Sequence, residues 1–335
     1  MRRAPSTAIA GSITDVPGLR AGHAQDFAAV TGFTVVLCDR GAICGVDLRG
    51  GASSVRNPTV ARPGHVVERV HAVFLTGGSA FGLDAAAGVM QYLEEEGVGE
   101  PVRAFRVPIV TGAALFDLAI GSHLRRPDAA MAYGACRGAR GAGLAEGSVG
   151  AGTGATVGKI FGMSRAMKGG IGTASRALGR LRVGALAVVN AFGDVVDPAL
   201  GRIVAGARTA SGRGLAGTES LLRSGVRRQG SRIESTTLGI VATNARLDRP
   251  AACRLAAVSQ VALARTLFPA HTSWDGDLVY ALSTGTLEAD RSVVEALGVE
   301  TLTQAILRGA SRARGLGGIP AARDRRRPPG WLRKP

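Results

Sequence analysis

Strand-type and helix-type apolar runs follow one another along these 335 residues with no strict βαβ alternation and no repeat period. Residues 33–38 and 42–47 read as two strands of a hairpin joined at Asp39-Arg40-Gly41. Residues 71–75, 183–189 and 277–283 read as further strands, and helical spacing of apolar residues predicts helices over about 83–95, 128–143, 250–267 and 292–311. Such a mixture has to bury sheet faces and helix stripes against one another in layers. It favours an α+β layered sandwich over a doubly wound parallel sheet. The 49 glycines lie mostly inside the apolar runs rather than between them, which calls for tight turns and close backbone approach.

One stretch, 231–248, combines an arginine- and glycine-spotted entry with two threonines, Thr236 and Thr237, and then the apolar run Leu238, Gly239, Ile240, Val241, Ala242. Threonine favours strands, and on one reading both are ordinary strand residues. A hydroxyl at the head of a buried strand, after a loop, is also where a chain can cut itself. The new N-terminal threonine would then carry a nucleophile and, in its α-amine, a base of near-neutral pKa. The polar segment 205–235 in front of it reads as a loop of about 30 residues, a length that is uncommon in a compact domain unless functional or disordered.

Composition excludes several classes. No run approaches the ~20 apolar residues that span a bilayer, and the first residues have two arginines without an apolar stretch behind them, so no signal peptide is read and a cytoplasmic location is expected. Cys38, Cys44, Cys136 and Cys253 are scattered, and His23, His65, His71, His123 and His271 lack metal-ligand spacing, so neither metal nor cofactor is expected. The net charge of +16 invites nucleic acid, yet 312–335 alone hold eight basic residues against Asp324, and aromatic content is 4%. Residues 312–335 thus account for +7, the remaining +9 is spread over about 310 residues, and the basic tail 316–335 is expected to be disordered. Only Lys159, Lys168 and Lys334 are lysine, against 38 arginines, which suggests a need for a compact or deprotonatable amine at the first two.

Four further features could carry chemistry. The glycine run 147–158 before Lys159 fails the phosphate-loop spacing, with Thr153 and Ile160 at the diagnostic places, and it fails the dinucleotide spacing as well. Asp275 and Asp277 flank Gly276 at a strand entrance, either as a turn or as paired carboxylates facing one side. Asn190 closes an apolar strand, where it either forms a turn or donates to an oxyanion. Ser79, within 76–82 (TGGSAFG), is a second candidate nucleophile, although no Gly-x-Ser-x-Gly elbow surrounds it.

Six blocks in order, LTGGSAFGLDAA (75–86), SVGAGTGATVGK (148–159), AMKGGIGTAS (166–175), VNAFGDVVDP (189–198), TTLGIVATNARL (236–247) and HTSWDGDLVYALSTG (271–285), resemble the L-aminopeptidase/D-esterase (DmpA-type) family, which includes β-aminopeptidases and nylon-oligomer hydrolases. The resemblance runs from about residue 13 to 315. It implies a four-layer αββα sandwich and an autoprocessed N-terminal-nucleophile hydrolase, cleaving amide bonds of small amino-acyl peptides or amides. By the same resemblance Thr236 is the nucleophile and Ser235–Thr236 the cleavage site. Lys159 stands beside the nucleophile, Asn190 stabilises the oxyanion, and Asp275 and Asp277 form an acidic pair. Phe116 lies where some members place a tyrosine near the substrate, and Ser235 stands where close relatives carry Asn or Gly.

The implied organisation is a single hydrolase domain, 1–315, cut into pieces 1–235 and 236–335 and assembled as a homo-oligomer, often a tetramer of such pairs. Two other roles stay open at this point: an uncleaved inactive homologue acting as a binding protein, and a nucleic-acid-associated protein using its basic tail.

Overall fold

The computed structural model describes residues 11–229 and 235–324. Nine strands form one continuous sheet: β1 (Arg20–Asp26), β2 (Thr31–Leu48), β3 (Ser54–Arg56), β4 (Arg69–Thr76), β5 (Val110–Ala114), β6 (Gly170–Leu178), β7 (Leu181–Asn190), β8 (Thr236–Ala245) and β9 (Leu278–Leu287). Their order is β6-β7-β8-β9-β2-β4-β5-β3, with β1 also paired to β2. β8 runs parallel to β9 and β4 to β5, and the other pairs are antiparallel. Five α-helices accompany the sheet: α1 (Ala86–Glu95), α2 (Ala129–Arg137), α3 (Thr218–Arg223), α4 (Arg249–Thr266) and α5 (Arg291–Arg312).

Side-chain alternation along the strands sorts the core into three parts. Val73 and Leu75 of β4 meet Leu238, Ile240 and Ala242 of β8 and Leu278, Tyr280 and Leu282 of β9 in one inner cluster. Their neighbours point the other way. Phe74 of β4 and Phe33 and Val35 of β2 pack with Val89 and Leu93 of α1 and Ala132 and Ala135 of α2. Val241 of β8 and Val279 of β9 pack with Leu255 of α4 and Leu302 and Ile306 of α5. The sheet therefore folds over on itself around the inner cluster, and each half carries a helix pair outside, which is the expected αββα order.

The fold-over runs through β2. Its first half pairs with β1 and β4 and its second with β9 and, at Ala42 and Ile43, still with β4 after a register shift between Leu37 and Ala42. The hairpin expected at Asp39-Arg40-Gly41 is therefore corrected: these residues are a bend inside one 18-residue strand. The first half packs Phe33, Val35 and Leu37 under α1 and α2, whereas the second lies against α4 at Gly45, so the two halves serve different helix layers.

Helix and sheet approach closely where glycines meet. A Cβ on Gly172 of β6 would lie 2.2 Å from the Ala305 carbonyl oxygen and 2.3 Å from the Gly309 nitrogen of α5. On the same strand Thr173 N–H donates to Glu146 (2.9 Å), whose carboxylate also receives Arg308 Nε (2.8 Å) and Nη2 (2.6 Å). This carboxylate occupies the outer edge of β6, where an unpaired ladder group would otherwise invite another strand.

Two expectations about irregular segments change. Residues 205–229 are not an open loop. They contain α3, and buried Asp194 anchors them by accepting from Ala207 N (2.7 Å), Thr218 N (2.6 Å) and Thr218 Oγ1 (2.8 Å). The expected tail also starts too early at 316. Lys168 N–H donates to Pro320 O (2.8 Å) and Ala321 is fully buried, so residues 316–324 lie on the body, whereas 325–335 are outside the described residues.

Candidate active site

β7 ends at Asn190 where β8 begins at Thr236, and the two residues are paired partners across the antiparallel ladder. Directly opposed residues project from the same face of a sheet, so the Asn190 amide and the Thr236 hydroxyl share one surface. Both are buried: Asn190 is fully covered and Thr236 is 4% exposed.

The peptide bond before Thr236 is held from three sides. The Ser235 carbonyl oxygen accepts from Gly276 N–H (2.8 Å) and from the Thr236 hydroxyl (2.7 Å), and Ser235 bridges to Asp275 in parallel fashion. A Cβ at position 276 would sit 2.6 Å from Thr236 Oγ1, so only glycine lets this loop reach the hydroxyl. The loop itself is fixed by a second one: Arg49 N and Gly50 N donate to Asp277 O (3.0 and 3.1 Å), and Ala52 N donates to Asp275 O (3.0 Å).

Both aspartates are buried and hydrogen-bonded. Asp277 Oδ1 accepts from Thr237 N–H (2.7 Å), so it fixes the start of β8 directly, and its Oδ2 accepts from His271 N and pairs with His271 Nδ1, each at 3.1 Å. Asp275 Oδ2 accepts from Thr272 N (2.9 Å) and Thr272 Oγ1 (2.7 Å). Burial, with the nearby charge of Asp277, pushes the Asp275 carboxyl up to about 6, and the Thr272 bonds and the Lys159 charge act in the other direction. Burial by itself would lower His271, but the bond to Asp277, the charges of Asp277 and Asp275 and a backbone bond together outweigh it and hold the imidazole above its ordinary value.

Lys159 is 1% exposed. Its ammonium donates to Asn190 Oδ1 (2.9 Å) and to Asn190 O (3.0 Å), and Thr156 N–H donates to the same Oδ1 (2.9 Å). With these donors on one side, the amide nitrogen faces the other way and donates to Phe116 O (3.1 Å). The six residues Ser235, Thr236, Lys159, Asn190, Asp275 and Asp277 thus come together. Phe116 joins them through its main-chain carbonyl, and its side chain is half-buried.

Gly276, Thr272 and His271 are the members that sequence reading missed. The signal for Gly276 was its place between two acids, and His271 was weighed only as a metal ligand. Ser79, the second candidate nucleophile, has a left-handed backbone (φ 55°) and donates its N–H to Leu115 O (2.9 Å), and among the described residues no bond links it to the Thr236 cluster.

Among the described residues no helix is long and apolar enough to cross a membrane. Over 93% of this chain and 97% of its own length, an uncharacterised aminopeptidase of Mycobacterium tuberculosis is 40% identical. A 6-aminohexanoate-oligomer endohydrolase of Paenarthrobacter ureafaciens is 28% identical over 88% of this chain and 84% of its own. The L-aminopeptidase D-Ala-esterase/amidase of Ochrobactrum anthropi, described as a variant of the Ntn hydrolase fold, superposes with a TM-score of 0.71 at 19% identity, covering 94% of this chain and 91% of that one. The model of peptidase family S58 matches residues 11–318. Fold, ordered sequence blocks and this match agree, and the chain belongs to peptidase family S58, as a hydrolase of peptide or amide bonds.

Proposed function

We propose that the chain cuts itself between Ser235 and Thr236 and that the freed Thr236 is the nucleophile of an aminopeptidase or amidase acting on small amino-acyl peptides or amides. The observation that carries this reading is the scissile carbonyl: Ser235 O receives a fixed N–H from Gly276 and lies 2.7 Å from the hydroxyl of the next residue. In the first step Thr236 Oγ bonds to the Ser235 carbonyl carbon. The C–N bond breaks, the hydroxyl proton passes to the leaving amine, and an ester remains. Water then hydrolyses that ester, giving a Ser235 carboxylate and a Thr236 with free amine and hydroxyl. The pieces are 1–235 and 236–335.

In the mature enzyme the same hydroxyl attacks a substrate amide, with its own α-amine as proton acceptor and the Lys159 ammonium supporting the site through Asn190. Asn190, on the same face of the sheet, faces the developing oxyanion, a kind of contact worth roughly 3 kcal/mol. Asp275 and Asp277 hold the amine and the head of β8. The likeness to a 6-aminohexanoate-oligomer endohydrolase places ω-amino amides among the substrates to try, beside α-, β- and D-amino acyl amides. We expect the cut pairs to associate as a homo-oligomer. Family membership favours neither an uncut binding protein nor a nucleic-acid-associated role.

Denaturing electrophoresis with mass spectrometry of the purified chain tests the first step, and a panel of aminoacyl p-nitroanilides tests the second. Two pieces are expected, the smaller one starting at Thr236. A Thr236→Ala chain that still splits at this bond would sink the reading.

A further inference from the structure

Lys168 and Asp117 are buried ionisable residues that touch no reacting group. Lys168 is fully covered, and its ammonium donates to Thr153 O and Ala155 O, both at 2.7 Å. Asp117 is 4% exposed and accepts from Thr31 Oγ1 and Gly78 N–H, both at 2.7 Å. Gly154 lies against the acid: a Cβ there would stand 2.4 Å from Asp117 Cβ and 2.5 Å from its Oδ2. The short segment 153–155 is therefore clamped between an ammonium and a carboxyl group.

This segment and the peptide before Asp117 are also the two pieces that hold the Asn190 side chain. Ala155 C=O and Thr156 N–H belong to one peptide unit, which is planar and trans. Lys168 Nζ (2.7 Å) and Gly169 N–H (2.9 Å) both hold its oxygen, and its N–H donates to Asn190 Oδ1 (2.9 Å). Fixing the oxygen of a rigid plane fixes the direction of the N–H at its other end. An ammonium on that oxygen also polarises the unit and strengthens the bond it donates. On the other side Phe116 C=O, which receives Asn190 Nδ2 (3.1 Å), shares a peptide unit with the nitrogen of Asp117. Both ends of the carboxamide are thus held by peptide planes anchored one residue away.

We infer that Lys168 and Asp117 are positioning residues that set the orientation of the Asn190 carboxamide for catalysis. The inference rests on the proposed role of Asn190 and deepens it. Lysine suits the place in a chain that otherwise uses arginine, because a compact ammonium can reach two carbonyls of one tight turn in a space closed to a planar guanidinium. The two groups also support each other electrically. Burial lowers Lys168 to about 7 and raises Asp117 to about 6, and the opposite charge of each partner counters part of that.

The test is a mutant cycle on the full-length, self-cleaved protein, with rates normalised to the amount of cleaved chain. Lys168→Met, Asn190→Ala and the double variant are compared, with Asp117→Asn, which keeps the shape of the side chain, run in parallel. Lys168→Met is expected to lower kcat about tenfold with KM unchanged, and Asn190→Ala by about 10²–10³-fold. In the Asn190→Ala background the further loss from Lys168→Met should be under twofold, because the group it positions is gone. A purely structural role would instead multiply the two losses. Additive losses, or a Lys168→Met kcat within twofold of wild type, would overturn the inference. Where Lys168→Met does not accumulate, Asp117→Asn carries the same cycle with the same outcomes. The reading of the site fails separately, if wild type remains uncut or Thr236→Ala is as active as wild type.

Discussion

Asn190 and Thr236 face each other across β7 and β8, the last residue of one strand opposite the first of the next. A carboxamide and a hydroxyl are thereby set at one height on one face by the ladder itself. Replacing Asn190 by Ala leaves the ladder intact, so the loss should fall on kcat, by about 10²–10³-fold, with KM little changed. Steady-state kinetics on cleaved protein checks this.

Gly276 separates the two acids and has no room for a methyl group. Gly276→Ala would place a carbon 2.6 Å from Thr236 Oγ1 and 3.0 Å from Ala52 O, so the loop has to withdraw and take its N–H off the Ser235 carbonyl. Self-cleavage should slow by at least about 10²-fold, the usual cost of one oxyanion donor. A time course of the intact band on a denaturing gel reads the effect directly.

Asp275, raised to about 6, is expected to act as the carboxylate, so hydrolysis should rise with pH through about 6. Removing the Thr272 hydroxyl, which favours the charged form, moves that midpoint upward. A bond to a charged group is worth about 1.5–3 kcal/mol, and 1.36 kcal/mol corresponds to one pH unit, so Thr272→Ala should shift the midpoint by about one to two units. The sign for stability is opposite to that for activity. A carboxyl raised in the folded state contributes stability fully below its unfolded value of about 3.8 and loses it as pH climbs towards 6. The pH dependence of kcat/KM and of the thermal midpoint, measured on the same samples, separates the two.

Glu146 joins the edge of β6 to α5 through Thr173 N–H and Arg308. Its side chain is 7% exposed and that of Arg308 19%. Glu146→Gln keeps an acceptor for Thr173 but removes the negative charge that Arg308 and Arg312 share, and should cost about 2 kcal/mol. Urea unfolding of the uncut Thr236→Ala protein, with and without the substitution, measures this without interference from cleavage.

The strands that carry the site were readable because β7 and β8 are continuous apolar runs covered on both faces, and a polar residue at the end of such a run stands out. The bend in β2 was not. Asp39-Arg40-Gly41 has the composition of a turn, and only the demand of two separate helix layers turns it into a mid-strand bend. Within the site, Thr236, Lys159, Asn190 and the aspartates were named from residue type and from the resemblance. Gly276, Thr272 and His271 belong to a loop whose meaning depends on 49–52 packing beneath it, a juxtaposition more than 220 residues apart in the chain. Lys168 was conspicuous as a rare lysine, but its partners are backbone carbonyls, which no side-chain motif records.

β8 lies in the interior of the sheet, antiparallel to β7 on one side and parallel to β9 on the other. A break just before it severs one covalent bond and no ladder. The two fragments then stay threaded through each other, and neither can leave without opening the central strands. Folding begins as a one-chain process, whereas reassembly after the cut is a meeting of two chains and depends on their concentration. The proposed cleavage would make the native state a one-way destination, its lifetime governed by its rate of unfolding and no longer by an equilibrium with the original chain.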